Sequence, residues 1–121
     1  MRISLQALER MRQLIGDDKD VLADILQSFI AEAEPLAESV LAAARDGRFD
    51  ILGRAAHTIK SSARDFGDSE LAALCADIEL GSKQGLVADA VASSQKIAQG
   101  CIALKEELAA YIGRELNGKA L

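Results

Sequence analysis

The chain has almost no aromatic surface. Phenylalanine, tyrosine and tryptophan make up 3% of it, and tryptophan is absent. Bases would find little to stack on, and a net charge of −5 opposes a polyphosphate backbone, which excludes a nucleic-acid binder. The two cysteines are too few for a disulfide framework. Cys75 falls in phase with Leu71, Leu74 and Ile78, and Cys101 with Ile97, Leu104 and Leu108. Both are expected in the core, where free cysteine usually resides. A redox pair or a metal site would want a CxxC spacing or further histidines, and the chain has one histidine. No apolar run approaches the ~18 residues of a membrane span, so no direct membrane contact is expected. The N-terminal residues are amphipathic and lack the apolar stretch of a signal peptide, so the chain is expected to be cytoplasmic.

What is present is helical. Half the residues are hydrophobic and 27% are charged, a globular composition. Alanine, leucine, glutamate, lysine and arginine favour helices, and β-branched runs are scarce. The 121 residues suit one domain, with a core spanning about 5–113 and a flexible tail at 114–121. Ser4 can cap a short helix over 5–15, with Leu5, Leu8, Met11 and Leu14 or Ile15 inward. A second helix starts near Lys19, with Val21, Leu22, Ile25, Leu26, Phe29 and Ile30 in helical phase. Pro35 interrupts it, but Leu36, Val40 and Leu41 resume the phase at once, predicting one long, bent helix ended by Gly47. A third helix covers 48–66, closed by Gly67. Asp68 or Ser69 caps a fourth, with Leu71, Leu74, Cys75, Ile78 and Glu79. A last helix runs from about Val87 to Gly113, with Val91, Ile97, Cys101, Leu104, Leu108 and Ile112 inward. Short loops between such helices predict antiparallel neighbours and an all-α, up-down bundle.

The one histidine, His57, sits on the third helix. Leu52, Ala55, Ala56, Ile59, Ala63 and Phe66 share the core face, and His57 points the other way. Gly53 and Ser61, one turn to either side, are small and leave the ring accessible. Arg54, Lys60 and Arg64 add positive charge to the same exposed side. A Ser/His/Asp or Cys/His triad needs a cleft and an oxyanion hole, and neither is visible. Only Asp50 and Asp65 come near as metal ligands, and the cations oppose a metal. Gly81 to Gly85 does not match a phosphate-binding loop, so the chain has no evident ATP site of its own.

Phosphate carriage remains. Imidazole has an ordinary pKa near ~6.5, so much of it is neutral and nucleophilic at cellular pH. Lys60 and Arg64, with Arg54 in support, could hold the transferred dianion by charge-assisted hydrogen bonds. The chain would supply the nucleophile, and a partner the metal and the carboxylate. Two other readings stay open: a non-catalytic helical module that docks a signalling protein, and a small metal or redox protein using His57, Cys75 and Cys101. A lone histidine on a basic helix face is also, in many proteins, only a solvated residue.

The run Ala55-Ala56-His57-Thr58-Ile59-Lys60-Ser61-Ser62-Ala63-Arg64-Asp65-Phe66-Gly67 resembles the signature of histidine-containing phosphotransfer (HPt) domains. Ile59, Lys60, Phe66 and Gly67 match that pattern. Ser61 stands where glycine is common; it is still small, and its hydroxyl is placed to bond the ring or a phosphoryl group. Leu71 to Glu79 resembles the family's next helix, and Phe29 to Leu36 its preceding long helix, proline included. The resemblance spans roughly residues 5–112. It implies a four-helix bundle with an additional short N-terminal helix. It implies that His57 accepts a phosphoryl group from a receiver-domain aspartate and passes it to another receiver. The partners would be receiver domains of response regulators or hybrid sensor kinases. The chain would then be a stoichiometric carrier rather than an enzyme, without a cofactor, the Mg²⁺ residing on the receiver. It would act as a monomer or as part of a larger kinase. Leu8 and Met11 of the first helix would form part of the docking surface.

Overall fold

Capping and glycine chemistry set the helix limits in the computed structural model, which describes residues 2–117. Helix α1 spans Leu5–Leu14, and the Ser4 hydroxyl accepts from the amide of Ala7 at 3.1 Å. Helix α2 spans Lys19–Arg45 and is capped by Asp18, whose carboxylate accepts from the amides of Asp20 and Val21 at 3.0 and 3.1 Å. Pro35 lies inside α2 on an exposed position, so the missing donor faces water and the helix continues past it. Helix α3 spans Phe49–Phe66. Gly67 ends it in the left-handed region, φ +84°, and the amide of Asp68 then reaches back to the carbonyl of Ala63 at 2.8 Å. Helix α4 spans Ser69–Lys83, capped by Asp68, which accepts from the amide of Leu71 at 3.1 Å. Helix α5 spans Ala90–Tyr111 and runs into one π-helical turn, Ile112–Leu116.

Helices α2 and α5 form one close pair and α3 and α4 another. Contacts between α2 and α3 and between α4 and α5 close the ring, while α1 lies mainly on α3. The expected all-α bundle with an additional N-terminal helix is therefore what forms. The interior holds Leu8, Leu22, Leu26, Leu52, Ile59, Leu71, Ile97, Leu104 and Leu108, all fully buried. Burying each such side chain stabilises the fold by about 1.5–3 kcal/mol. Cys75 and Cys101 are buried among them as free thiols.

The core is wider than 5–113. Ile3 is buried because Glu107 accepts from the amides of Arg2 and Ile3 at 2.7 and 3.1 Å, and the amide of Ser4 donates to the carbonyl of Phe66 at 2.9 Å. The Arg2 guanidinium meets the buried Asp68 carboxylate at 3.2 Å, which compensates that charge. At the other end Leu116 is buried, so residues 114–116 belong to the packed structure rather than to a flexible tail. Residues 118–121 of that expected tail lie outside the described residues. Of the two alternatives at the end of the first helix, Ile15 packs against the core and Leu14 is exposed, while Leu5, Val21 and Val91, expected inward, face solvent. Each sits in a first or last helical turn, where the helix has run past its packing partner. Helix α5 also begins later than Val87, at Ala90, after Asp89 turns the chain with φ +50°.

Candidate functional site

His57 stands on the outer edge of α3, with its side chain 60% exposed. Ile59 and Leu52 bury the opposite face of the same helix and fix the direction in which the ring leaves it. Its Nδ1 lies 3.0 Å from Oε2 of Glu79 on α4. The Lys60 Nζ lies 2.6 Å from the other oxygen, Oε1. Lys83 Nζ approaches Oε2 at 3.9 Å from one turn further along α4. A single carboxylate thus ties α3 to α4 and grips the imidazole. The Lys60 hydrogen bond holds the Glu79 carboxyl below the usual carboxylate range, the His57 contact adds to this, and partial burial opposes it. An ionised carboxylate can only accept, so Nδ1 is the ring nitrogen that donates to it, and in the neutral ring the lone pair is then on Nε2.

The two helices come this close because of Gly53. A Cβ there would lie 2.7 Å from Cβ of Ser82 on α4. Gly53 is itself buried, so its smallness serves the helix–helix approach first and access to the ring only through it. Asp50, Gly53, Arg54, His57, Glu79 and Lys83 line one shallow depression along the α3–α4 seam.

The other residues of the expected strip divide. Lys60 does not line the exposed side: its side chain is 13% exposed and committed to Glu79. Arg54 faces solvent beside the depression, 3.5 Å from Asp50 in an i, i+4 pair. Ser61 is exposed, but its hydroxyl donates to the carbonyl of His57 at 3.2 Å, so it bonds its own helix rather than the ring. Arg64 borders a separate hollow with Gly67, Ser69 and Ala72, about 10 Å along the helix from His57. Leu8 is fully buried and unavailable for docking, whereas Met11 is half-buried.

Burial pushes the Cys75 thiol up to about 12 and the Cys101 thiol up to about 11, so neither offers a thiolate near neutral pH. Among the described residues no group of three or more His, Cys, Asp or Glu could hold a metal ion, and no helix is long and apolar enough to cross a membrane.

Sequence reasoning missed Glu79 and Lys83 as site residues. Glu79 did carry a signal: it shares the inward phase of the fourth helix with Ile78. A carboxylate at that edge needs a cationic or donor partner from a neighbouring helix. Lys83 follows Glu79 by four residues, a spacing that pairs them on one helix face.

Known proteins give a consistent assignment. The family model described as Hpt domain matches residues 24–113. Among curated proteins none matches the chain in sequence. Among solved structures, histidine-containing phosphotransfer protein B from Pseudomonas aeruginosa PAO1 is similar, with a TM-score of 0.81 at 19% identity, over 93% of this chain and 96% of that one. That likeness is one of fold. The match of the family model over most of the helical bundle is what decides: this chain belongs to the Hpt domain family, whose work is histidine phosphotransfer in a phosphorelay.

Proposed function

We propose that His57 is the phosphoryl carrier of this chain, that Nε2 is the atom modified, and that the group moves between aspartates of receiver domains. The observation that carries this reading is the exposed ring whose Nδ1 is held 3.0 Å from the Glu79 carboxylate. In uptake, the Nε2 lone pair forms a bond to phosphorus. The bond between phosphorus and the aspartyl oxygen breaks, and its electron pair leaves with the receiver carboxylate. The ring keeps its Nδ1 proton and gains positive charge, which Glu79 offsets across the hydrogen bond. Transfer onward is the reverse. Lys60 keeps Glu79 ionised and oriented, so it acts as a positioning residue behind the ring. Arg54 and Lys83, both exposed beside the depression, are the cations placed to meet the phosphoryl oxygens. The Mg²⁺ that assists such transfers belongs to the receiver in this scheme, and the chain itself needs no nucleotide site.

The test is incubation with a phosphorylated receiver and Mg²⁺, with mapping of acid-labile phosphate. Uptake at His57, lost completely in His57→Gln while receiver binding persists, is the expected result. Phosphorus NMR of the product should show the Nε2 adduct. Phosphate retained in the glutamine variant, or carried on Nδ1, would refute the assignment.

A further inference from the structure

The seam between α2 and α5 lies across the ring from the α3–α4 seam and carries a second furrow. The two helices are tied together there: Lys105 Nζ is 2.9 Å from Oε1 of Glu34, and the Cys101 thiol donates to the carbonyl of Ala33 at 3.5 Å. Lining positions fall at 34, 37, 38 and 41 on α2 and at 99, 102, 103 and 106 on α5, with Ala98 beside them. Both sets have the i, i+3, i+4, i+7 spacing of a single helix face. Alanines at 37, 98 and 103 keep the furrow broad and low, and Leu41 and Ile102 add larger apolar side chains to its lining. Glu34 and Glu38 stand on one bank and Glu106 on the other. Glu34 shares its charge with Lys105, but Glu38 and Glu106 have no ion pair among the described residues.

We propose that this furrow docks an amphipathic helix of a partner protein, with an apolar stripe against Ala37, Leu41 and Ile102 and lysine or arginine beside Glu38 and Glu106. Charge selects this occupant. A second copy of the chain would bring its own carboxylates and a net charge of −5 to the same place. A cationic helix gains where a copy of the chain loses, and the small floor lets its backbone approach closely. The seam is on the far side of the ring from His57, so a helix held here leaves the phosphoacceptor face open to a receiver. The inference does not depend on the phosphotransfer reading, because none of these residues touches the His57 depression.

The probe is a synthetic amphipathic peptide of about 18 residues with a leucine–alanine stripe and lysine flanks. A control peptide has the same stripe and glutamate flanks. Titration into nitrogen-15-labelled protein should shift the amides of Ala37, Leu41, Ala98 and Ile102 and leave those of His57 and Glu79 in place. The double variant Glu38→Lys, Glu106→Lys should bind the lysine peptide at least about tenfold more weakly and come to prefer the glutamate peptide. Both positions are exposed, and circular dichroism would establish that the variant folds. Uptake of phosphate should be unchanged in that variant. The proposal fails if neither peptide binds, if both bind wild type equally, if the shifts fall on the α3–α4 seam, or if sedimentation shows the furrow already closed by a second copy.

Discussion

The two close helix pairs of this bundle use small residues for opposite ends. At the α3–α4 seam Gly53 brings the backbones together, and the outer edge becomes a knot of charge in which Glu79 is shared by His57, Lys60 and Lys83. At the α2–α5 seam alanines leave the outer edge hollow, and the carboxylates on its banks stay largely unpaired. The first seam holds one exposed imidazole against a carboxylate. The second presents shape and charge but no nucleophile. Both rest on the same interior, so substitutions in that interior should not distinguish them, whereas substitutions at their outer edges should.

That claim meets its hardest test in the core. Ile59 on α3 and Leu104 on α5 are both fully buried. Ile59→Ala and Leu104→Ala should each cost about 2–5 kcal/mol, measured by urea unfolding. A small cost for one and a large cost for the other would mean that one pair is a satellite and that the ring is not a single cooperative unit.

The seams themselves should separate next. A methyl group at Gly53 meets Ser82 with no room, so Gly53→Ala should destabilise by about 1–3 kcal/mol and slow phosphoryl uptake as α4 moves Glu79 away. Trimming the obstacle in Gly53→Ala, Ser82→Gly should recover part of the uptake rate. At the other seam Ala103 is half-buried and faces the open furrow, so Ala103→Leu should change stability by no more than about 0.5 kcal/mol. Equal effects would erase the distinction between a tight seam and an open one.

Glu79 gives a smaller effect of a different kind. In Glu79→Gln a carbonyl can still accept from Nδ1, but the negative charge is gone. Charged hydrogen bonds contribute about 1.5–3 kcal/mol, so transfer should slow roughly 10- to 100-fold with the fold retained. Nitrogen NMR should show the ring losing its preference for the Nδ1-protonated tautomer. Lys60→Ala should act through the same carboxylate. Because Lys60 depresses the Glu79 carboxyl, the folded state gains stability from it above the ordinary value of 4.5, and loses that gain as pH falls through the depressed value. The variant should therefore show a weaker acid-side fall in stability. An unchanged acid limb would mean that the Lys60–Glu79 pair contributes nothing to folding.

The helices, their caps and the outward histidine were legible in the chain because each is written in local spacing. Ser4, Pro35, Gly67 and Asp68 all act within a turn or two of where they stand. The His57–Glu79 contact was not legible, because it joins residues 22 positions apart through the packing of two helices. For the same reason Gly53 looked like a device for access, when its first contact is Ser82 on another helix. Lys60 looked exposed because helical phase gives a direction and not a length. A long side chain on the border of the core face can lie back along the seam, and Glu79 draws it there. Leu5 and Val91 were misplaced because periodicity continues to the end of a helix while its packing partner does not.

Ser61 sharpens the comparison with the least effect. It follows His57 by one turn, where the family commonly has glycine, and its hydroxyl is spent on the carbonyl of His57 at 3.2 Å. Removing that hydroxyl in Ser61→Ala leaves the carbonyl in its helix bond and adds no bulk beside the ring. Transfer should then change by less than about twofold, within the range of neutral surface changes. Ser61→Gly should also keep the rate but lose up to about 1 kcal/mol of stability, since glycine orders poorly in a helix. If the alanine variant slows transfer severalfold, the hydroxyl must leave its carbonyl during the reaction and touch the phosphoryl group. The chemistry of the α3–α4 seam would then extend one turn beyond the Glu79 knot.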